Sequence, residues 1–393
     1  MHDCGGDMRR SAHRTLVRSI VAACLLLPVM AVAQPAGGWY GDMLRNRPWQ
    51  ALQVLGTLPG QEQAVAQLSV IVGDAGPACR LLSTRPPRID AGMSHDDALR
   101  EIVAAARDAQ VVMLNESHFS RTHRLFLGRV LEALGALGFD ALAAEAFEAD
   151  APALLADGDP DVRIGFYTAD PAFAGVLRRA RVMGWEFVAY EAASTEREQR
   201  EEGQARALAD WLERHPGRRL LVYAGGSHIS EDESAGWMAA RLKRMTGIDP
   251  LTIAQAATAC AGMEAMWPFD ASVAVTPMRD GRPSGGAGAD IVVLHPPASI
   301  AAIEADRGVL HDVCIAAQAQ AQDTLLRAFH VQSGDAAIAA DQVVIPAGAT
   351  RARLRLAQGR YRIMREDAEA LHLLGSIESG GGHAGCIRLP SAA

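Results

Sequence analysis

Between residues 90 and 256 the chain alternates short apolar runs with longer segments of helical periodicity, and this alternation limits the folds open to it. Short runs that are apolar throughout are typical of strands buried on both faces, as in parallel sheets. Strands that alternate with helices predict βαβ units. We therefore predict an α/β domain with a mostly parallel central sheet flanked by helices. Its predicted strands are 111–114, 141–144, 186–190, 220–223 and 251–253.

Capping signals mark where helices are expected to begin. Ser94 with Asp97 predicts the start of a helix over 95–106, and Thr195 with Glu198 forms a capping box for a helix that reaches residue 215. Apolar residues at helical spacing predict further helices at 120–137, 171–183 and 234–245.

The chain divides into four predicted parts: a signal peptide (1–33), a helical lead-in and linker (34–85), the α/β domain (86–304) and a small C-terminal β-rich module (305–393). Two adjacent prolines within 83–88 indicate the linker. In the last part Arg351, Arg353 and Arg355 alternate with apolar residues, which is the period of a half-buried antiparallel strand.

The N-terminus predicts export. An arginine-rich start is followed by an apolar stretch that ends in Ala31-Val32-Ala33, the small-x-small pattern cleaved before Gln34. Because the stretch is shorter than the roughly 20 residues that span a bilayer, we expect a periplasmic or secreted protein with no transmembrane anchor after signal cleavage. A lipoprotein attached through Cys24 is the less favoured alternative, since the apolar segment before that cysteine is short.

Four cysteines follow the predicted cleavage point. Their even number, in an oxidising compartment, predicts disulfides, and four cysteines allow three pairings. Membership in the two predicted folded parts favours Cys314 with Cys386 and Cys79 with Cys260.

Ionisable residues follow four of the predicted strands. The first strand leads into Glu116 and His118, and the second ends at Glu145. The third ends at Glu191, and the fourth leads through two glycines to His228. Parallel strands end at one edge of a sheet, where ligands bind, so we predict one site there. Taken singly, each residue has a structural alternative, such as an ion pair of Glu145 or Glu191 with Arg178 or Arg200, but the repetition favours function.

The residues 111–146, VVMLNESHFSRTHRLFLGRVLEALGALGFDALAAEA, resemble the opening motif of the superfamily of erythromycin esterases, ChaN-like and Tiki-type proteins. That motif has a strand, Gly-Glu-x-His, a helix and a strand that ends in Glu. A later Gly-x-x-His is matched by Gly225 to His228, and REEGQARALADWL is similar to the family's arginine-containing helix. The resemblance spans about 90–256. It departs at Asn115, which replaces a glycine, and we expect a left-handed turn there because asparagine tolerates that conformation.

The resemblance implies three activities: lactone opening by a histidine base and glutamates without a metal, metal-dependent peptide hydrolysis, and haem binding. By position it implies Glu116, His118, Glu145 and His228 as catalytic residues. From their places beside the same strand ends, Glu191, Ser227 and Arg121 are expected to bind substrate.

The leading hypothesis is an exported hydrolase of an ester, lactone or amide in a small-molecule or peptide substrate, with no cofactor. His118 or His228 would activate water, and Glu116 or Glu145 would orient that histidine. A serine nucleophile is disfavoured because the chain has no GxSxG motif. The alternatives are haem or iron binding through an axial histidine and a Tiki-like peptidase with a divalent metal. A net charge of −8 argues against a nucleic-acid partner.

Overall fold

A computed structural model describes residues 38–81, 94–258, 272–276, 278–279, 282–283, 288–315, 322–380 and 386–388. The predicted signal peptide, Cys24 and the linker at 83–88 lie outside the described residues.

The central sheet runs through the α/β domain. Strands in chain order are β1 (Ser94–Asp97), β2 (Val111–Glu116), β3 (Ala141–Ala144), β4 (Glu186–Val188), β5 (Leu220–Gly225), β6 (Leu251–Thr258), β7 (Val273–Thr276), β8 (Met278–Arg279), β9 (Arg282–Pro283) and β10 (Ile291–His295). The sheet has the order β1-β7-β10-β6-β2-β5-β3-β4, while β8 and β9 pair with each other. The strands from β10 to β4 pair in parallel, and β7 is antiparallel to both its neighbours. The predicted mostly parallel sheet is therefore confirmed.

Helices of the α/β domain pack on both faces of this sheet, and four other helices precede it in the lead-in. In chain order they are α1 (Trp39–Leu44), α2 (Pro48–Gly56), α3 (Glu62–Ile71), α4 (Gly76–Leu81), α5 (Ala98–Ala105), α6 (Arg121–Gly135), α7 (Ala151–Asp157), α8 (Pro171–Val182), α9 (Arg197–Arg214), α10 (Met238–Thr246) and α11 (Pro297–Ala305). Along β2, Val112 and Leu114 pack in the core that contains α6 and α8 residues, whereas Val111 and Met113 pack with α9 and α10. Burial on both faces explains why this strand is apolar at every position before Asn115.

Three predicted helix starts differ from the structure, among them that of α10, which was predicted at residue 234 and begins at Met238. Residues 94–97 form β1 and pair with β7, so α5 begins only at Ala98, with the Asp97 carboxylate accepting the Arg100 N–H at 2.9 Å. The capping box of Thr195 and Glu198 does not form, because the Ser194 hydroxyl organises the turn before α9 by bonding the Glu196 N–H.

The C-terminal part is built of antiparallel strands, as predicted. They are β11 (Val309–Cys314), β12 (Thr324–His330), β13 (Asp341–Ile345), β14 (Arg351–Leu356), β15 (Gly359–Glu366), β16 (Leu371–Ser379) and β17 (Ile387–Arg388). One sheet has the order β13-β12-β15-β16, and the other, β14-β11-β17, includes one parallel pair, β11 with β17. Ala352, Leu354 and Leu356 of β14 are buried, and the arginines between them face outward.

The predicted Cys314–Cys386 disulfide is present, which fits a protein of an oxidising compartment outside the cytoplasm. Cys79 is also disulfide-bonded, and its predicted partner Cys260 lies outside the described residues. None of the helices in the described part of the chain has the length and apolar character that a membrane crossing requires.

The helical lead-in contacts both larger parts of the protein. Met43 and Leu55 pack with Ala169 of the α/β domain. At the C-terminal sheet, the buried Arg327 guanidinium donates to the Asn46 carbonyl at 2.6 Å and to Glu366 at 3.1 Å. These contacts fix α1 beside the loop that contains Phe166, close to the carboxyl edge of the central sheet.

Candidate functional site

Glu116 and His118 form a hydrogen-bonded pair at the end of β2. The His118 Nδ1 lies 2.7 Å from Glu116 Oε1, and its ring stacks on Tyr167 with 4.0 Å between ring centroids. The His118 side chain is 21% exposed, while that of Glu116 is buried. Among the described residues Nε2 of His118 has no hydrogen-bond partner, so this nitrogen is available to a ligand.

A buried arginine holds the Glu116 carboxylate. Arg124 donates to Glu116 Oε2 at 3.0 Å and to Asp170 Oδ2 at 2.8 Å, and the side chains of Arg124 and Asp170 are completely buried. Burial by itself would raise the pKa of Glu116, but the charges of Arg124 and His118 outweigh burial and lower this pKa to about 2. Glu116 is therefore ionised at neutral pH and accepts the proton on Nδ1 of His118.

Arg121, predicted to bind substrate, bridges two carboxylates instead of standing free. Its Nη2 donates to Asp341 of β13 at 3.1 Å, and its Nε lies 3.6 Å from Asp170. Asp341 also accepts from Arg307. A chain of ion pairs thus connects the Glu116–His118 pair, through Arg124, Asp170 and Arg121, to Asp341 in the C-terminal strands.

His228 lies between two carboxylates. Its Nδ1 is 2.8 Å from Glu201, its Nε2 is 3.4 Å from Glu145, and the side chain is buried. Burial favours the neutral ring, but Glu145 and Glu201 outweigh it and raise the pKa of His228 to about 10. The two carboxylates thus favour the protonated ring at neutral pH, against the positive charge of Arg200, whose Nη1 lies 3.4 Å from Nε2. Both nitrogens of His228 are engaged.

This arrangement predicts a pH-dependent stability difference. The folded-state pKa of His228 lies above the unfolded value near 6.5, so its contribution is complete below that value and is lost as pH rises through about 10. Comparing His228→Gln with the wild type by thermal unfolding from pH 6 to 10, we expect a lower Tm for the variant at pH 6 and a gap that narrows as pH rises. A Tm difference that does not change with pH would contradict the raised pKa of His228.

Glu145 is held by positive groups on one side and backbone on the other. Its Oε1 accepts from Arg200 at 2.7 Å, and its Oε2 accepts the Gly225 N–H. Arg200 also binds Glu191, whose carboxylate accepts two further hydrogen bonds from Gln204. The sequence offered Arg178 or Arg200 as ion-pair partners of Glu145 and Glu191. Arg200 pairs with both glutamates, whereas Arg178 pairs with Asp159. Glu191 therefore positions Arg200.

Gly225 is the point on which His118 and Glu145 converge. A methyl group added there would lie 2.8 Å from Nε2 of His118 and 3.0 Å from Oε2 of Glu145. The Gly225 backbone (φ −71°, ψ 147°) is open to any residue, so the closeness of these side chains, rather than the turn, requires glycine. Two residues on, Ser227 is half-buried in the short helix Gly226–Ile229, and among the described residues its hydroxyl has no hydrogen-bond partner.

Asn115 remains in β2, so the left-handed turn expected there is wrong. Within the described residues Asn46 is the non-glycine residue with positive φ. Ladder pairing of β2 with β5 continues through Glu116, which keeps Asn115 extended. Its side-chain oxygen accepts the Gln255 N–H at 2.6 Å, and its amide donates to the Gly226 carbonyl at 3.1 Å. Asn115 thus joins three strand ends.

Residues that sequence reasoning missed hold the site in place. Arg124, Asp170 and Glu201 are the buried ion-pair partners, and Tyr167 stacks on His118. A fifth, His123, accepts the Ser117 N–H at 3.0 Å; burial lowers its pKa to about 4, so it stays neutral. One signal in the sequence could have identified Arg124. It directly precedes the apolar residues that α6 buries, where a charged side chain needs an ion-pair partner.

The charges around the glutamates do not fit a divalent cation. Arg200 and protonated His228 already neutralise Glu145, and Arg124 neutralises Glu116. Groups of three or more suitable ligands are absent from the described part of the chain. An axial haem ligand needs a free ring nitrogen. His228 has none, because each of its nitrogens contacts a carboxylate, so of the two predicted histidines His118 is the one that could bind haem iron.

These features define an α/β protein with a histidine–glutamate site at the carboxyl edge of its sheet. No family model and no curated protein matches the chain. Its fold is similar to the type III effector HopBA1, with 14% identity and a TM-score of 0.37 over 53% of this chain and 98% of that one. RRSP, a MARTX toxin effector domain from Vibrio vulnificus CMCP6, has 16% identity and a TM-score of 0.30, over 41% and 36%. A crystal structure of bacterial protein toxins has 18% identity and a TM-score of 0.31, over 41% of this chain and 37% of that one.

Proposed function

We propose that this protein is a hydrolase of an ester, lactone or amide bond, with His118 as the general base. The observation that carries the proposal is the His118–Glu116 pair, in which one nitrogen is held by a buried carboxylate and the other is free and partly exposed. A candidate base must reach the proton that it takes, and its orientation must be fixed.

Each residue then has a role in the reaction. Glu116 accepts a hydrogen bond from the Nδ1–H group, which leaves Nε2 unprotonated and able to take a proton from water as the water oxygen attacks the carbonyl carbon. The Glu116 carboxylate stabilises the imidazolium formed, and His118 returns the proton to the leaving oxygen or nitrogen as its bond to carbon breaks. Arg200 and His228 hold the Glu145 carboxylate in place beside Gly225.

His228 is the less suitable base of the two predicted histidines. It is buried, contacts a carboxylate at each nitrogen and is already protonated at neutral pH. The resemblance implies both histidines, and the charges around them bear on which of its three activities fits. The esterase-like branch, which works without a metal, fits the neutralised glutamates better than the metal-dependent or haem-binding branches do.

The test is a panel of ester, lactone and peptide substrates, assayed with and without EDTA. His118→Gln is expected to lower kcat/KM by about 100- to 10,000-fold, the usual contribution of a general base. The matched control is His372→Gln, which changes another histidine–carboxylate pair, with Asp367, on β16. Unchanged turnover in His118→Gln would refute the proposal, as would loss of activity with EDTA or a haem Soret band that depends on His118.

His118 is the informative position because its side chain is partly exposed. Alanine at Glu116 would remove one of the two carboxylates that pair with the buried Arg124, and alanine at His228 would leave the buried Glu201 without its cation. Lost activity at these positions is therefore mixed with lost stability. Thermal melts beside the kinetics separate the two effects.

We also propose that the protein is exported and cleaved after Ala33. The Cys314–Cys386 disulfide supports an oxidising compartment. N-terminal sequencing of the mature protein is expected to begin at Gln34. A lipid-modified Cys24 would replace this proposal with the lipoprotein alternative.

A further inference from the structure

A cavity of about 230 Å³ lies beside the candidate site, between α1 and the loop before α8. Its walls combine the aromatic rings of Tyr40 and Phe166 with the aliphatic side chains of Met43 and Val162, and the Glu148 carboxylate also lines it. Whole small-molecule sites have roughly 300–1,000 Å³. The cavity therefore suits one group of a larger molecule.

Two ring contacts connect this cavity to His118. The Phe166 ring lies edge-on to Tyr167 with 5.2 Å between centroids, and Tyr167 stacks on His118 at 4.0 Å. The same loop packs against the chain that follows β3: Gly165 (φ 146°) approaches the Ala146 carbonyl so closely that a methyl group there would overlap it. The rings of Tyr167 and Phe166 thus lie between His118 and the cavity.

The cavity has an unneutralised negative charge. Within the described residues, the Glu148 side chain makes no ion pair or hydrogen bond, whereas the other charged lining residue, Arg163, is neutralised by Asp161. Glu148 is exposed to solvent as well as lining the cavity, and its partial burial together with the charges of Asp150 and Glu191 raises its pKa. A bound cation would relieve this repulsion, and the aromatic rings of Tyr40 and Phe166 in the cavity wall are groups that can also contact a cation.

We propose that the cavity binds a cationic group on an apolar stem, an ammonium or guanidinium, next to the bond that is cleaved. This inference rests on the proposed hydrolase function and extends it to the substrate class, a lysine- or arginine-like compound. The aliphatic walls would contact the stem, and Glu148 would pair with the charge.

The test compares Nα-acetyl-lysine methyl ester with Nα-acetyl-norleucine methyl ester, which has a similar stem without the ammonium. The wild type is expected to prefer the lysine ester by about tenfold in kcat/KM. Glu148→Gln should remove the preference by raising KM for the lysine ester alone. Glu213→Gln, which changes an exposed glutamate of α9, is the control and should leave the preference unchanged.

A binding measurement separates this inference from the hydrolase proposal. Calorimetry with Nα-acetyl-lysine amide is expected to show binding to His118→Gln that is lost when Glu148→Gln is added. Binding that depends on Glu148, without hydrolysis of any substrate in the ester, lactone and peptide panel, would support the cation site and refute the hydrolase. Equal kcat/KM for both esters, or binding that ignores Glu148, would overturn the cation site.

Discussion

Replacing Arg124 with methionine is expected to lower the free energy of unfolding by about 3–5 kcal/mol, the usual loss when one partner of a buried ion pair is removed. The change leaves Glu116 and Asp170 buried without their shared cation. Urea unfolding followed by circular dichroism measures the loss. Activity should fall with it, since Glu116 would no longer be held as an anion beside His118.

Two comparisons show whether burial of charge is the cause. Arg206→Met removes an exposed i,i+4 pair with Glu202 on α9 and should change stability by only about 0.5 kcal/mol. Adding Glu116→Gln and Asp170→Asn to Arg124→Met removes the uncompensated charges and should recover part of the stability without recovering activity. If the triple variant is less stable than the single one, the buried-charge account is wrong.

Gly225→Ala is expected to lower kcat/KM by about 100-fold while the protein remains folded. The added methyl group would lie 2.8 Å from Nε2 of His118, so the imidazole or the Glu145 carboxylate must move. Misplacing a reacting group by about 1 Å is enough for a loss of this size. Because the backbone angles at Gly225 suit alanine, the stability loss is limited to local overpacking, about 1–3 kcal/mol. Kinetics and thermal melts on the same preparation measure both.

The matched control is Gly175→Ala on α8, where an added methyl group meets no atom within 4 Å. Alanine in a helix is favoured over glycine by roughly 0.5–1 kcal/mol, so this variant should be as active as the wild type and slightly more stable. Normal activity in Gly225→Ala would show that the reacting atoms do not lie between His118 and Glu145.

Local pattern predicted most of the sheet and the place of the site. The apolar runs are set by burial on both faces, a property that each run of four or five residues carries by itself. Parallel pairing then brings the ends of β2, β3 and β5 to one edge, and so places Glu116, Glu145 and His228 near each other. Boundaries were less accurate, since pairing of β1 with β7 displaced the start of α5.

The sequence by itself therefore determined five of the eight strands of the central sheet, the β-rich C-terminal part and the candidate residues at the strand ends. Tertiary structure alone decided what each of those residues does. His118 and His228 look alike in sequence, but the carboxylates that contact each nitrogen of His228 come from β3's end and from α9, distant in the chain. A histidine's protonation depends on burial and on the charges brought to it through space. For the same reason the folded chain, not the motif, placed Tyr40 of the lead-in beside Glu148 and formed the cavity.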